Sequence, residues 1–290
     1  MTVLYTAELV GKAGVYAFRK GFAELKRQRK IDFTIVCADG ATGGSGLGRI
    51  HAGRIHKLGA QVITTGECCF YKKDLVENFD KINYVLRPAN LNPEAPGIGI
   101  RVFRLGDKSD VKIAVVVFLG QSGFSRMHGN SPVSGLSTLM ERIRQETPYI
   151  VIDFHAGPTA EKQTFFAAAD GRCSAVIGSH TRVQTADERV LPLGTAVITD
   201  AGRTGSTESV GGSSSAPRIQ EYLSGIRGWT HEAWDKPELQ GVLIELKPNG
   251  KAASIERVRV PVSVPDMPPE TNDRNRAGEE DGSEEEELEG

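Results

Sequence analysis

At 290 residues, with 39% hydrophobic and 25% charged side chains, the chain can bury a sizeable core as one large globular domain or two small ones, which excludes a fibrous or wholly disordered polymer. No stretch reaches the ~18 consecutive apolar residues of a membrane span, and MTVLYTAELVGKAG at the start lacks a basic region leading into an apolar run, so membrane spanning and secretion are disfavoured and cytoplasm is the expected compartment. The net charge of −2 hides a division, because from Asp266 onward 11 acidic residues face only Arg274 and Arg276, a net of −9 that leaves the body at +7.

A C-terminal stretch that opens on Pro265, Pro268 and Pro269 and closes on GEEDGSEEEELEG has almost nothing to bury. The expectation is a folded domain over 1–265 and a disordered acidic tail over 266–290. A positive body suits an anionic ligand such as a phosphate ester, or reflects ordinary surface lysines balanced by the tail. Cys37, Cys68, Cys69 and Cys173 form neither a CxxC nor a disulfide framework, so reduced thiols are expected.

In chain order, β-branched runs at Val3 to Tyr5, Ile31 to Cys37, Val62 to Thr64, Ile82 to Leu86, Val102-Phe103, Ile113 to Leu119, Tyr149 to Phe154, Ala175 to Ile177 and Ala196 to Ile198 read as strands. Between them Val15, Phe18, Phe22 and Leu25 form one helical stripe, and Leu136 to Ile143 and Ala160 to Ala169 also carry helical spacing. Gly241 to Leu246 and Ala253 to Val262 flank Pro248-Asn249-Gly250, whose Asn-Gly predicts a closing hairpin. The pattern is that of an α/β layered domain with mixed sheets.

Several chemical motifs are absent. The run Gly43-Gly44-Ser45-Gly46-Leu47-Gly48 meets neither the dinucleotide nor the P-loop spacing and is no GxSxG, so it reads as a strand-to-helix turn able to approach a ligand. His51 and His56 stand five apart, about 140° round a helix, and cannot share a metal as an i, i+4 pair would. What recurs instead is a titratable residue where an apolar strand ends: Glu8, Asp39, Glu67-Cys68, His155 and His180. Strand ends in a layered α/β domain converge on one edge, where ligands are bound.

With these residues in place, the chain resembles the calcineurin-like metallophosphoesterases, and specifically their bacterial 2′,3′-cyclic-nucleotide 2′-phosphodiesterase branch, over residues 2–262. Supporting text outside the site includes Val10-Gly11-Lys12-Ala13-Gly14, Arg87-Pro88-Ala89-Asn90, Asp153-Phe154-His155-Ala156, Val176-Ile177-Gly178-Ser179-His180-Thr181 and Thr199-Asp200-Ala201-Gly202. The resemblance implies a four-layer α/β/β/α sandwich with mixed sheets and a site for two divalent metals drawn from Fe, Mn, Zn or Mg. Phosphodiester hydrolysis needs an activated water, cations to neutralise phosphoryl oxygens and leaving group, and a proton donor, with carboxylates and imidazoles as ligands.

Carried over position by position, the family expects a first-site aspartate where this chain has Glu8, a bridging glutamate at Asp39 and a first-site asparagine at Gly40. It expects a second-site asparagine at Glu67, the proton-donating histidine at Cys68, second-site histidines at His155 and His180, and a last first-site histidine at Arg182. The second site thus keeps four plausible ligands, Asp39, Glu67, His155 and His180. The first is depleted, because Gly40 has no side chain and Arg182 stays protonated and repels a cation. Arg182 is instead expected to lend positive charge to a bound phosphate through bidentate hydrogen bonds.

Cys68 reads either as a weak proton donor or as a buried strand-end thiol. Two readings follow, with at most one tightly held divalent cation per chain. One is a diverged phosphodiesterase using one metal with Arg182 in place of the other. The second is a non-catalytic descendant that binds a cyclic nucleotide, another phosphorylated small molecule or a protein partner, and it gains from the joint loss of first-site ligands and proton donor. The sequence implies no membrane partner and leaves the oligomeric state open.

Overall fold

In the computed structural model, which describes residues 1–106 and 110–264, the apolar runs become strands and the stripes between them helices. The first half contains β1 (Thr2–Thr6), β2 (Glu8–Leu9), α1 (Gly11–Gln28), β3 (Phe33–Cys37), α2 (Arg49–Lys57), β4 (Val62–Thr64), α3 (Lys73–Val76), β5 (Val85–Leu86), β6 (Ile100–Arg104) and β7 (Lys112–Leu119). The second half contains α4 (Leu136–Arg144), β8 (Ile150–His155), α5 (Thr159–Ala169), β9 (Ala175–Ser179), β10 (Arg189–Val190), β11 (Ala196–Ile198), β12 (Arg203–Ser206), α6 (Ser215–Ser224), β13 (Pro237–Leu246) and β14 (Ala252–Pro261). The stretch expected as an acidic tail lies outside the described residues.

Two mixed sheets result. The first runs β2-β12-β13-β1-β3-β4-β5, with β14 also on β13; β1, β3, β4 and β5 are parallel, and β13 is antiparallel to β1, β12 and β14. The second runs β10-β11-β9-β8-β7-β6, parallel from β11 to β7 and antiparallel at both edges. The run at Ile82 to Leu86 contributes only Val85–Leu86, because Phe79–Lys81 closes a 3-10 turn just before it. The Asn-Gly hairpin forms as expected between β13 and β14, with the Gly250 N–H donating to the Lys247 carbonyl.

Side-chain alternation stacks the layers. Val3 and Tyr5 of β1, Phe33 and Ile35 of β3 and Val62 of β4 face Val115 and Val117 of β7, Val151 of β8 and Ile177 of β9, so the two sheets share an inner core. The outward Leu4, Val36 and Ile63 meet Val15, Phe18 and Phe22 of α1 and Ile55 of α2. On the far side Val116, Ile152 and Val176 meet Met140 and Ile143 of α4 and Phe165 and Phe166 of α5. This is the expected order of helices, sheet, sheet and helices, and each fully buried aliphatic or aromatic side chain contributes ~1.5–3 kcal/mol to it. Because β1, β3 and β4 share a direction, as do β8 and β9, their C-terminal ends bring five of the polar strand-end residues to one edge.

Candidate metal centre

Glu8 stands at the start of β2, Asp39 just past β3, Glu67 in the turn after β4, His155 at the last position of β8, and His180 immediately after β9. Glu8, Asp39 and His155 are buried, while Glu67 and His180 are half-buried toward solvent. The two imidazole rings lie 5.0 Å apart by centroid, and one carboxylate joins them: Glu67 Oε2 bonds His155 Nε2, and Glu67 Oε1 is 3.2 Å from His180 Nδ1. Asp39 Oδ2 lies 3.8 Å from His155 Nε2 on the buried side.

His155 is oriented from behind. Its Nδ1 is 2.9 Å from Ser179 Oγ, and Ser179 in turn donates to Asp153 Oδ1 at 2.7 Å, so Nδ1 carries the proton and Nε2 faces the carboxylates. Gly66 makes this approach possible, since a Cβ there would stand 2.3 Å from His155 Nε2. Asp39 is fixed by the backbone N–H groups of Gly66 and Cys68, which donate at 2.6 and 3.1 Å. Burial alone would lower the His155 pKa, but Glu67, Cys37 and Asp39 together outweigh it and hold the imidazole well above its usual range. Glu67 is correspondingly held well below the carboxylate range, although burial opposes this, and burial pushes Asp39 up to about 7.

The first-site positions are arranged differently. Arg182 donates from Nε and Nη2 to Glu8 Oε1 at 3.0 and 2.6 Å, from Nη2 to the Gly44 carbonyl at 3.0 Å, and from Nη1 to the Gly211 carbonyl at 3.0 Å. A Cβ at Gly40 would stand 2.7 Å from Arg182 Nη2 and 2.8 Å from Glu8 Oε1, so the guanidinium fills the space that a side chain at residue 40 would enter. The glycine-rich turn does approach the site, through Gly44. The Nε and Nη2 donors of Arg182 are both engaged by Glu8 Oε1.

Thr181 between the two site residues is pinned by Asp200, which accepts from the Thr181 N–H and hydroxyl at 2.9 and 2.6 Å and from the buried Lys162 ammonium at 2.9 Å. The brace supports two strained neighbours, since His180 and Arg182 have φ of 98° and 60°. Glu67, His155 and His180 form one donor group with ligand atoms within 4.8 Å, and Asp39, Glu67 and Cys68 form another. Two imidazoles and the Glu67 carboxylate, one imidazole locked by its rear hydrogen bond, fit a divalent cation, with the Asp39 carboxylate on the buried side of His155. Glu8 and Arg182 do not fit one at the first-site positions, although Glu8 Oε2 is buried without a hydrogen-bond partner.

Sequence reasoning missed the wall of the site. Phe124 stacks edge-on against His180 at 5.0 Å, and with Tyr71, Arg126, Met127, Glu67 and His180 it lines a cavity of about 150 Å³. Phe124, Arg126 and Met127 lie in the long loop after β7 and Tyr71 in the segment between β4 and α3, where no periodicity marks them. The Cys68 thiol is buried and pushed strongly upward, first by that burial and then by the Asp39 and Glu67 carboxylates, so it holds its proton. Among the described residues no helix is long and apolar enough to cross a membrane.

The chain matches known proteins over most of its length. The family model of YmdB-like proteins matches residues 4–258. The chain is 34% identical to the 2′,3′-cyclic-nucleotide 2′-phosphodiesterase of Bacillus subtilis, over 90% of this chain and 97% of that protein. Among solved structures it is similar to a novel phosphatase from Mycoplasma pneumoniae (TM-score 0.82, 30% identity, 90% of this chain and 93% of the other). It is similar to a hypothetical protein from Thermus thermophilus to the same degree (TM-score 0.82, 25% identity, 90% and 99%). Sequence match and four-layer architecture together show that the chain belongs to the YmdB-like family, within the metallophosphoesterase fold.

Proposed function

We propose that the chain is a phosphodiesterase-type protein that holds one divalent cation, on Asp39, Glu67, His155 and His180, and binds a nucleotide phosphodiester there with turnover far below that of a dinuclear site. The observation that supports this reading is the Arg182 guanidinium seated on Glu8 against Gly40, at the positions where the resemblance expects first-cation ligands. A bound cation would supply Lewis-acid polarisation of a phosphoryl oxygen and lower the pKa of a coordinated water.

The chain's own residues do the rest. Asp39 and His155, held by backbone N–H groups and by Ser179, fix the inner ligand positions. Glu67 and His180 complete the set on the solvent side, Phe124 excludes water from one face, and the exposed Arg126 at the cavity mouth attracts an anionic ester. Arg182 contributes positive charge without acting as a Lewis acid. Cys68 stands where a proton donor is needed, and a thiol with so raised a pKa is a poor one; loss of a general acid costs about 10²–10⁴ in rate. The same observation favours a second reading, a site that binds the ester without turning it over.

The test is an assay on 2′,3′-cyclic AMP and a generic aryl phosphodiester, with and without added Mn²⁺ or Zn²⁺, and with His155→Ala as control. Slow hydrolysis that a chelator and His155→Ala both abolish supports the first reading. Metal-dependent binding with no hydrolysis supports the second, and brisk turnover without added metal contradicts both.

A further inference from the structure

Between β12 and β13 the chain leaves the sandwich on an excursion whose base is tightly held. Arg182 Nη1 donates to the Gly211 carbonyl, the Ser214 N–H donates to the His231 carbonyl at 2.9 Å, and the Ala233 N–H donates to the Gly212 carbonyl at 2.9 Å. Glu232 accepts from the Lys12 N–H at the start of α1 at 2.8 Å. Above this base rises α6 (Ser215–Ser224), which buries none of its residues.

The helix is nonetheless amphipathic. Ile219, Tyr222 and Leu223 fall at i, i+3 and i+4, and the exposed Ile226 follows just past the left-handed Gly225 that caps the helix. Tyr222 is 91% exposed, Leu223 77% and Trp229 94%. Exposed apolar side chains scattered singly need no explanation, but these five fall within eleven residues of one arm, three of them on one face of α6.

We infer that this arm is the interface of a homodimer, in which the Ile219, Tyr222, Leu223, Ile226 and Trp229 surface packs against the same surface of a second copy. Three observations select that occupant. The first is area: Tyr222 and Trp229 present ~150–250 Å² each, and with the three aliphatic side chains the stripe reaches several hundred Å² per protomer, on the scale of the ~800 Å² per partner in a standard interface. The second is charge. The ionic groups bordering the stripe pair among themselves, Arg218 with Glu221 at 2.9 Å and Arg227 with Glu221 at 4.0 Å, so two copies meet across a two-fold axis with little repulsion.

The third is the polar face, which on α6 carries only Arg218 and Glu221 as charges among Ser215, Gln220 and Ser224. A membrane-surface helix is rich in Lys and Arg on that face, and this one is not. Nor does the C-terminal stretch supply a cover, since residues 266–290 contain only Met267 and Leu288 as larger apolar groups.

The experiment is sedimentation velocity over a wide concentration series on the full chain and on Tyr222→Asp and Leu223→Asp, with Trp fluorescence read in parallel. The expected result is a dimer for the unmodified chain, with emission shifting to the blue as concentration rises. Each variant should weaken the dimer about 30-fold or more, the size of an interfacial hot spot, while circular dichroism and melting of the monomer stay unchanged. A chain that stays monomeric at its highest soluble concentration would overturn the inference. So would a dimer that both variants leave intact, or a monomer that instead sediments with vesicles of mixed neutral and anionic phospholipid.

Discussion

Gly40 and Arg182 pack as one unit. The guanidinium occupies volume that any side chain at residue 40 would claim, and it neutralises the buried Glu8 carboxylate that would otherwise face the inner site alone. Gly40→Ala in the unmodified chain should therefore cost about 1–3 kcal/mol through overpacking. In an Arg182→Ala background the same substitution should cost much less, the two coupling by roughly 0.5–3 kcal/mol. Urea unfolding of the four chains measures this, and equal costs in both backgrounds would show that Gly40 is not making room for the guanidinium. The residue types at positions 8, 39, 67, 155 and 180 were legible as polar punctuation after apolar runs. The pairing of Arg182 with Glu8 was not, because the two are separated by 174 residues and no local pattern links them.

At the scale of elements, α5 does more than cover a sheet. Its Lys162, fully buried, reaches Asp200 and through it holds Thr181 between the strained His180 and Arg182. Removing the ammonium leaves a buried carboxylate uncompensated, so Lys162→Ala should lower stability by about 3–5 kcal/mol. A melting curve within a degree or two of the parent would contradict that role. α1 could be read in advance from its buried stripe, and β4 and β11 from their continuous apolar runs, because burial imposes both patterns. Among the elements that went unread, two show different reasons. The strand β2 is two residues long and exists only through its pairing with β12, whereas α6 had the signals, Ser214 before it, Gly225 after it and a 3-4 stripe between, but no core to place them against.

For the whole molecule, the charge division has a consequence. Residues 266–290 offer too little apolar surface to offset their ordering entropy, so we propose that they contribute nothing to the stability of the domain. Truncation after Pro265 should leave the melting temperature nearly unchanged while moving the formal charge of the chain to +7; a drop of many degrees would show that the segment docks on the body. The fold class and the convergence of strand ends on one edge follow from alternation and chain direction. The count of cations does not, since it depends on which side chains meet across the cleft.

That count is the most direct test of the central claim, that a guanidinium has replaced one of two cations. Elemental analysis of the chain saturated with Mn²⁺ or Zn²⁺ and then freed of loosely held ions should give one divalent cation per chain, and none in His155→Ala. Substituting the residue types that the resemblance expects, Glu8→Asp, Asp39→Glu, Gly40→Asn, Glu67→Asn, Cys68→His and Arg182→His together, should raise the count toward two and increase turnover. Two cations per chain in the unmodified protein would contradict the account.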